Sequence, residues 1–217
     1  MTSYELPHSA KIGIISDIHA NLDALRRALE LLNRHGVERI LCAGDLVEKG
    51  HAGDAVVALL QTAAVPCVMG NHDFDAIGNQ AWLRENSDLS HPALRGVLLQ
   101  EETLHFLKHL PRSLNFASKE RRLFLGHGAP WSTNEYIFPT SAVHHFERIA
   151  RETQADVVIL GHTHVPMCVQ MDKTIIVNPG AVCGNRNNEA TCAILTLPDL
   201  AFQLYSLETG LGINIPS

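Results

Sequence analysis

The feature of this sequence that most constrains its fold is a short apolar run that ends abruptly in polar side chains. The run from Lys11 to Ile15 is mostly apolar and rich in β-branched isoleucine, which predicts a buried strand. A helical leucine pattern that stops at Gly36 follows it. Ser16-Asp17-Ile18-His19-Ala20-Asn21 lies between them, at the edge where open α/β sheets bind ligands. Asp17 and His19 could chelate one metal ion. The alternative is an ordinary turn in which Asp17 accepts backbone N–H groups.

Four more apolar runs end in the same way. The motifs that follow them are Gly44-Asp45, Gly70-Asn71-His72-Asp73, Gly126-His127 and Gly161-His162-Thr163-His164. Carboxylate, amide and imidazole donors without thiolates suit Mn, Fe or Zn better than they suit a closed structural zinc site. The donors exceed the need of one ion. Two ions about 3.5–4 Å apart, bridged by a carboxylate, are the usual machinery for attack on phosphorus.

In order and spacing, these five motifs resemble those of the calcineurin-like metallophosphoesterase superfamily, from Ile12 to about Ala190. The resemblance implies an α/β fold, a four-layer α/β/β/α β-sandwich flanked by helices with a dinuclear metal site at one end. It implies one ion bound by Asp17, His19, Asp45 and His164, and a second bound by Asp45, Asn71, His127 and His162. Asp45 would bridge the two ions.

The resemblance also assigns the catalytic residues. His72 matches the family's catalytic histidine, so we expect it to protonate the leaving oxygen while a metal-bridging hydroxide attacks phosphorus. Asp73 is the second catalytic candidate, and either Asp73 or Glu48 could orient the His72 ring. The candidates for contact with substrate are Asn71, His72, Lys49 and Arg186; for Arg186 the alternative is an ordinary solvated loop arginine.

Two departures from the family bear on the substrate. Glu48-Lys49 stands where the phosphoprotein phosphatases of the family have Asp-Arg, and Asp73 stands where they have Glu. A lysine is a point donor that cannot reproduce the arginine fork on phosphate. We therefore expect a metal-dependent phosphoesterase that acts on phosphodiesters. The alternatives are a dinucleoside polyphosphate hydrolase, a phosphoprotein phosphatase, or a module that keeps the fold and the metals for binding only, as the retromer subunit of the superfamily does.

Length and composition limit the other possibilities. The 217 residues suit one domain over 1–217, and the net charge of −6 argues against a broad nucleic-acid surface, which leaves a small phosphorylated substrate as the expected partner. Five cysteines without CxxC spacing indicate neither a disulfide framework nor a thiolate zinc site, and are interpreted as small core residues. We see no secretory signal and no membrane span, so a cytoplasmic location is predicted.

The remaining pattern predicts local structure. Val65 to Met69 is interpreted as a third parallel strand, Leu114–Ala117 and Arg122–Leu125 as a hairpin, and Ser141 as the N-cap of a helix. Four closely spaced runs from Met167 onwards predict antiparallel strands. The aromatic stretch Trp131 to Pro139 is either a hydrophobic plug or the wall of a substrate pocket.

Overall fold

The computed structural model describes residues 3–88, 97–184 and 188–215. The strands are β1 Ser3–Glu5, β2 Ala10–Ile15, β3 Arg39–Cys42, β4 Ser113–Ala117, β5 Arg122–Gly126, β6 Val157–Ile159, β7 Met167–Met171, β8 Thr174–Asn178, β9 Thr191–Leu197, β10 Ala201–Ser206 and β11 Gly212–Ile213. The helices are α1 Leu22–Arg34, α2 Gly53–Thr62, α3 Asn71–Asn86, α4 Glu101–Lys108 and α5 Val143–Thr153. None of these helices combines the length and apolar character needed to cross a membrane.

The strands form two mixed sheets. One has six strands in the order β1-β4-β5-β6-β8-β7, and the other has five in the order β11-β10-β9-β2-β3. β2 and β3 pair in parallel, while β4 and β5 form the predicted hairpin. The late strands pair antiparallel as β7 with β8 and β9 with β10, whereas β8 also pairs in parallel with β6.

The predicted third strand over Val65 to Met69 is wrong. This segment makes only an isolated parallel bridge between Cys67 and Cys42. Pro66 has no N–H to donate to a ladder, and the N–H of Met69 donates to the carbonyl of Pro111 at 2.8 Å, outside the sheet. The chain therefore leaves the sheet early and delivers Gly70 directly to the start of α3.

The sheets pack face to face, with helices on both outer faces. Ile12 and Ile14 of β2 share one buried cluster with Leu123 and Leu125 of β5, so this cluster fills the space between the sheets. The alternate side chains of each strand face the other way. Ile15 packs with α1, α2 and α4, and Phe124 packs with α5. This alternation gives four layers, α/β/β/α, and confirms the predicted architecture.

Of the two predicted helix N-caps, one is confirmed and one is wrong. Asn21 caps α1 as predicted, because its Oδ1 accepts the N–H of Ala24 at 3.1 Å. Ser141 does not cap α5. Its hydroxyl oxygen accepts the N–H of Phe138 at 2.9 Å, and Ala142 is the N-cap without a side-chain hydrogen bond.

The five cysteines are all free thiols, but they are not all core residues. Cys42, Cys67 and Cys192 are buried, while Cys168 is exposed and Cys183 is half-buried. The prediction of a core role is therefore wrong for the last two.

Candidate active site

The five polar motifs meet where β2, β3, β5 and β6 end and α3 begins. Backbone hydrogen bonds connect them. The N–H of Asp17 donates to the carbonyl of Gly44 at 3.0 Å, and the N–H of Gly161 donates to the carbonyl of His127 at 2.7 Å. The two sheets are joined here as well, because the N–H of His162 donates to Oδ2 of Asp17 at 3.1 Å. The strand ends of both sheets thus build one continuous polar surface.

The backbone at this surface adopts an uncommon conformation. The positive φ angles are 53° at Asp17, 49° at His19, 56° at Asp45, 70° at His162 and 58° at His164. Such angles in non-glycine residues cost roughly 1–3 kcal/mol each and cluster at functional sites. Neighbouring hydrogen bonds hold them here, since the N–H groups of Ile18 and His19 both donate to the carbonyl of Asp45.

In each of two buried aspartates, Asp17 and Asp45, one carboxylate oxygen accepts hydrogen bonds from the protein and the other faces the neighbouring imidazoles. Oδ2 of Asp17 accepts the Ser16 hydroxyl at 2.6 Å and the His162 N–H, while Oδ1 is buried and makes no well-formed hydrogen bond. Oδ1 of Asp45 accepts the N–H of His72 at 2.9 Å, which leaves Oδ2 facing the imidazoles. Buried polar atoms are rarely left without partners, so the free Oδ1 of Asp17 fits a site built for a cation.

Four donor atoms form a first group around Asp17. Nε2 of His164 lies 3.2 Å from Oδ1 of Asp17 and 3.1 Å from Nε2 of His19. Nε2 of His19 in turn lies 3.6 Å from Oδ2 of Asp45. Metal–ligand bonds of about 2.0–2.2 Å place neighbouring ligand atoms roughly 3–4 Å apart, so these four atoms are spaced to hold one ion.

A second group shares the same oxygen of Asp45. Nε2 of His127 lies 3.3 Å from Oδ2 of Asp45 and 3.0 Å from Oδ1 of Asn71. Nδ1 of His127 donates to the carbonyl of Ala43 at 2.6 Å, an arrangement that orients the other ring nitrogen for a metal. His162 completes the group, and its Nε2 is also buried without a hydrogen-bond partner. Oδ2 of Asp45 therefore lies between both groups.

The electrostatics of the cluster depend on these contacts. Burial lowers the pKa of His19 and of His162 to about 4. Burial acts in the same direction on His127 and His164, but the adjacent carboxylates of Asp45 and Asp17, respectively, outweigh it and raise each pKa to about 9. Two imidazolium groups can thus balance the two carboxylates, and divalent cations could take over that charge balance.

His72 pairs with Glu48. Nδ1 of His72 lies 2.8 Å from Oε2 of Glu48, and the amide of Asn79 donates to Oε1 of Glu48 at 2.9 Å. The imidazole of His72 stands edge-on to His19, with 4.9 Å between ring centroids. Glu48 therefore orients the His72 ring beside the first group of donors, and Asn79, which sequence reasoning missed, braces Glu48.

Asp73 has a different environment from the one predicted. Its carboxylate is fully buried and accepts N–H groups from Gly70, Asp45, Leu46 and Val47 at 2.8–3.2 Å. Burial and the charge of Asp45 raise its pKa to about 6, against the effect of these bonds. It faces the backbone of the Asp45 loop and not the His72 ring. The geometry thus argues against the predicted catalytic role and favours a role in holding Asp45.

Lys49 and Cys183 lie beside this cluster. Nζ of Lys49 is 3.1 Å from Nε2 of His19, so the ammonium reaches the mouth of the site. Cys183, also missed, has its Sγ 4.0 Å from Nδ1 of His164. Arg186 lies outside the described residues.

The aromatic stretch Trp131 to Pro139 divides between the two predicted roles. Ile137 is buried in the cluster beneath α5, as a plug would be. Tyr136 is 55% exposed and stacks on His162, with ring centroids 3.9 Å apart and an interplanar angle of 22°. One side of the stretch fills the core, and the other forms a wall of the site.

Gly70 packs against the Asp45 loop with no room for a side chain. A Cβ at this position would stand 2.0 Å from Oδ1 of Asp45, so Gly70→Ala must displace the carboxylate that both donor groups share. We expect a loss of about 10²-fold in activity, of the size that misplacing a catalytic group costs, together with reduced metal content. Gly78→Ala within α3, the helix that begins directly after Gly70, is the control, because a Cβ there meets no atom within 4 Å and should leave activity unchanged. Full activity of Gly70→Ala would contradict this account of the loop.

Comparison with known proteins agrees with this geometry. A model of the calcineurin-like phosphoesterase superfamily domain matches residues 10–199. The phosphodiesterase MJ0936 of Methanocaldococcus jannaschii is 26% identical over 200 residues, which cover 91% of this chain and 99% of that protein. The phosphodiesterase YfcE of Escherichia coli K12 is 27% identical over 172 residues, or 79% of each chain. The crystal structure of a metallophosphoesterase from Sphaerobacter thermophilus superimposes with a TM-score of 0.66 at 29% identity, over 89% of this chain and 86% of that one.

The fold and the donor set define the class. Two mixed sheets packed face to face, with carboxylate, amide and imidazole groups gathered at their strand ends, form the frame of a metallophosphoesterase. Because the family match spans residues 10–199 of 217, the chain belongs to the calcineurin-like phosphoesterase superfamily. The family and fold class predicted from the motifs are confirmed.

Proposed function

We propose that this protein hydrolyses the phosphodiester bond of small phosphorylated substrates and that it uses two divalent cations of Mn, Fe or Zn. The observation that carries the proposal is the placement of Oδ2 of Asp45 between two groups of donors, each with a buried atom that lacks a hydrogen bond: Oδ1 of Asp17 in one and Nε2 of His162 in the other. Relatives named as phosphodiesterases support the choice of diesters. The single domain over 1–217 and the cytoplasmic location stay predictions.

The donor set fits the cations that the proposal requires. One ion would be held by Asp17, His19, Asp45 and His164, and the other by Asp45, Asn71, His127 and His162. Bound divalent ions supply Lewis-acid stabilisation of the phosphoryl oxygens and an activated water at neutral pH. The protein contributes the fixed positions of these ligands and the hydrogen bonds behind them.

The other polar groups bind the substrate and transfer a proton. Nδ1 of His72 is engaged by Glu48, so its Nε2 is the atom available to protonate the leaving oxygen. The Lys49 ammonium, 3.1 Å from Nε2 of His19, can donate to a phosphoryl oxygen as a point charge. Asn71, at the start of α3, lies beside His127 and is another predicted substrate contact in the described residues. Arg186 stays a predicted substrate contact.

A panel of substrates tests the proposed reaction. With Mn²⁺ present, we expect bis(p-nitrophenyl) phosphate to be hydrolysed faster than p-nitrophenyl phosphate, diadenosine tetraphosphate or a phosphoserine peptide. Faster turnover of the tetraphosphate or the phosphopeptide would favour one of the alternative hydrolases. No turnover of any member, from protein that binds two ions, would favour the binding module.

Metal content tests the ligand assignment separately. Elemental analysis of protein purified without chelator should find two divalent ions per chain. Asp17→Asn and His162→Ala should each reduce that number toward one, because each removes a ligand of a different ion. The control is His51→Ala, an exposed histidine beside the site that belongs to neither group, which should keep both ions. One ion in the unaltered protein would contradict the dinuclear assignment.

A further inference from the structure

An apolar cavity begins where the His72–Glu48 pair ends. Its volume is about 430 Å³, and its near end is lined by Glu48, Lys49 and Asn79. Ala76, Trp82, Leu83, Val97 and Leu99 form the walls. The volume lies within the range of small-molecule sites, about 300–1,000 Å³. The cavity is therefore large enough for one or two aromatic rings.

The direction of the cavity connects it to the chemistry. Residues 72, 76, 79 and 83 share one face of α3 because they are spaced by three or four residues. The cavity thus extends along the helix from the imidazole that we propose as the proton donor. Any group bonded to the protonated oxygen must lie on this side of phosphorus.

The walls select by shape and apolar contact. Gln80 also lines the cavity, but both polar atoms of its amide are already hydrogen-bonded within the protein. Nε2 donates to the carbonyl of Val97 and Oε1 accepts the N–H of Leu99, each at 2.8 Å. Asn79 donates to Glu48. A second cavity, on the other side of Lys49, is bordered by the polar Asn21, Asp23 and His164. The large apolar side chains of Trp82, Leu83 and Leu99 line the first of these cavities and not the second.

We propose that this cavity holds an aromatic leaving group, so that the protein favours phosphodiesters in which the oxygen released on P–O cleavage carries an aryl or similarly flat apolar group. The inference rests on the proposed function, because the position of His72, the proposed proton donor, decides on which side of phosphorus the leaving group lies. Trp82, whose side chain is 61% exposed on α3, forms part of the binding surface for that ring.

Aryl methyl phosphates of phenol, 2-naphthol and 4-phenylphenol test the proposal, since these leaving groups differ in size more than in acidity. We expect kcat/KM to rise about tenfold from phenol to 4-phenylphenol through the added apolar contact. Trp82→Ala and Leu83→Gln should flatten this rise and leave the phenyl ester nearly unaffected. Phe74→Ala is the matched control, because Phe74 is also 61% exposed on α3 but does not line the cavity.

A binding measurement separates this proposal from the proposed function. Methyl 4-phenylbenzylphosphonate, a non-hydrolysable analogue in which CH₂ replaces the ester oxygen that would leave, should shift the indole NMR signal of Trp82, assigned with Trp82→Phe, and leave that of Trp131 unchanged. Failure to hydrolyse any ester, with the Trp82 signal still shifted, would overturn the hydrolase and keep the cavity assignment. Hydrolysis without dependence on size, a rise that survives in Trp82→Ala and Leu83→Gln, or an unshifted Trp82 signal would overturn the cavity assignment.

Discussion

Asp45→Asn is expected to reduce kcat/KM by about 10⁴-fold, the largest effect of any single substitution at this site. Oδ1 of Asp45 accepts the N–H of His72, while Oδ2 faces both donor groups. An asparagine has only one oxygen. If that oxygen keeps the hydrogen bond to the His72 backbone, the amide N–H₂ would point at the two proposed ions and could not ligate them. If the side chain flips, two donors face each other at His72. In both cases the negative charge that would offset the repulsion between the two proposed dications is lost.

His164→Ala provides the comparison for Asp45→Asn. It would remove one terminal ligand from one of the two proposed ions, and we expect a loss at least as large as the roughly 10- to 100-fold that removal of an outer-shell partner of a metal ligand costs. Excess Mn²⁺ should restore part of this activity but little of the activity of Asp45→Asn. Activity titrated against metal concentration for both variants measures the difference. Equal losses that added metal does not rescue would show that Asp45 is not the bridge.

His72→Ala is expected to lose about 10³-fold in kcat on nucleoside or alkyl diesters, in the range for removal of a general acid. Alkoxides are poor leaving groups and need the proton that His72 supplies, whereas p-nitrophenolate departs without it. The loss on p-nitrophenyl esters should therefore be much smaller. Metal content should not change, because Nε2 of His72 is not among the assigned ligands.

The dependence on leaving group decides the role of His72. The ratio of rates for the unaltered protein and His72→Ala should rise with the pKa of the leaving group. Glu48→Gln should show the same trend with a smaller amplitude, since it weakens the partner that orients the ring at 2.8 Å. A flat ratio together with a raised KM would mean that His72 binds phosphate in the ground state and does not act as an acid.

The polar ends of apolar runs predicted where the site would lie. Parallel strands place their carboxyl ends at one edge, so Asp17 and Asp45 were expected to be neighbours, and the structure brings them together through the bond between Asp17 and Gly44. The motif order extended this to the histidines of the other sheet. Whether these residues bind metal stays a prediction.

Side-chain direction at the start of α3 could not be predicted from the sequence. His72 and Asp73 are adjacent, and on a helix adjacent residues point about 100° apart, so one faces the open side and the other faces the protein. Which one does so depends on how α3 meets the loop after β3. The structure directs Asp73 to four backbone N–H groups and leaves His72 to Glu48, a partner 24 residues away. The segment from Val65 to Met69 also depended on a tertiary contact, because the N–H of Met69 donates to the carbonyl of Pro111 and pairing with β3 is confined to the bridge at Cys67.

The donor groups join parts of the chain that come together late. His19 and His164 are separated by 145 positions, and they lie at the ends of strands in different sheets. Neither donor group can exist before the sheets have packed. We expect this packing to follow the folding transition state, and contacts that are absent from that state affect the unfolding rate and not the folding rate. Ions at this site would therefore do little to speed folding and would chiefly slow the separation of the two sheets during unfolding. A chelator should thus raise the unfolding rate measured by stopped flow, while the refolding rate stays nearly constant.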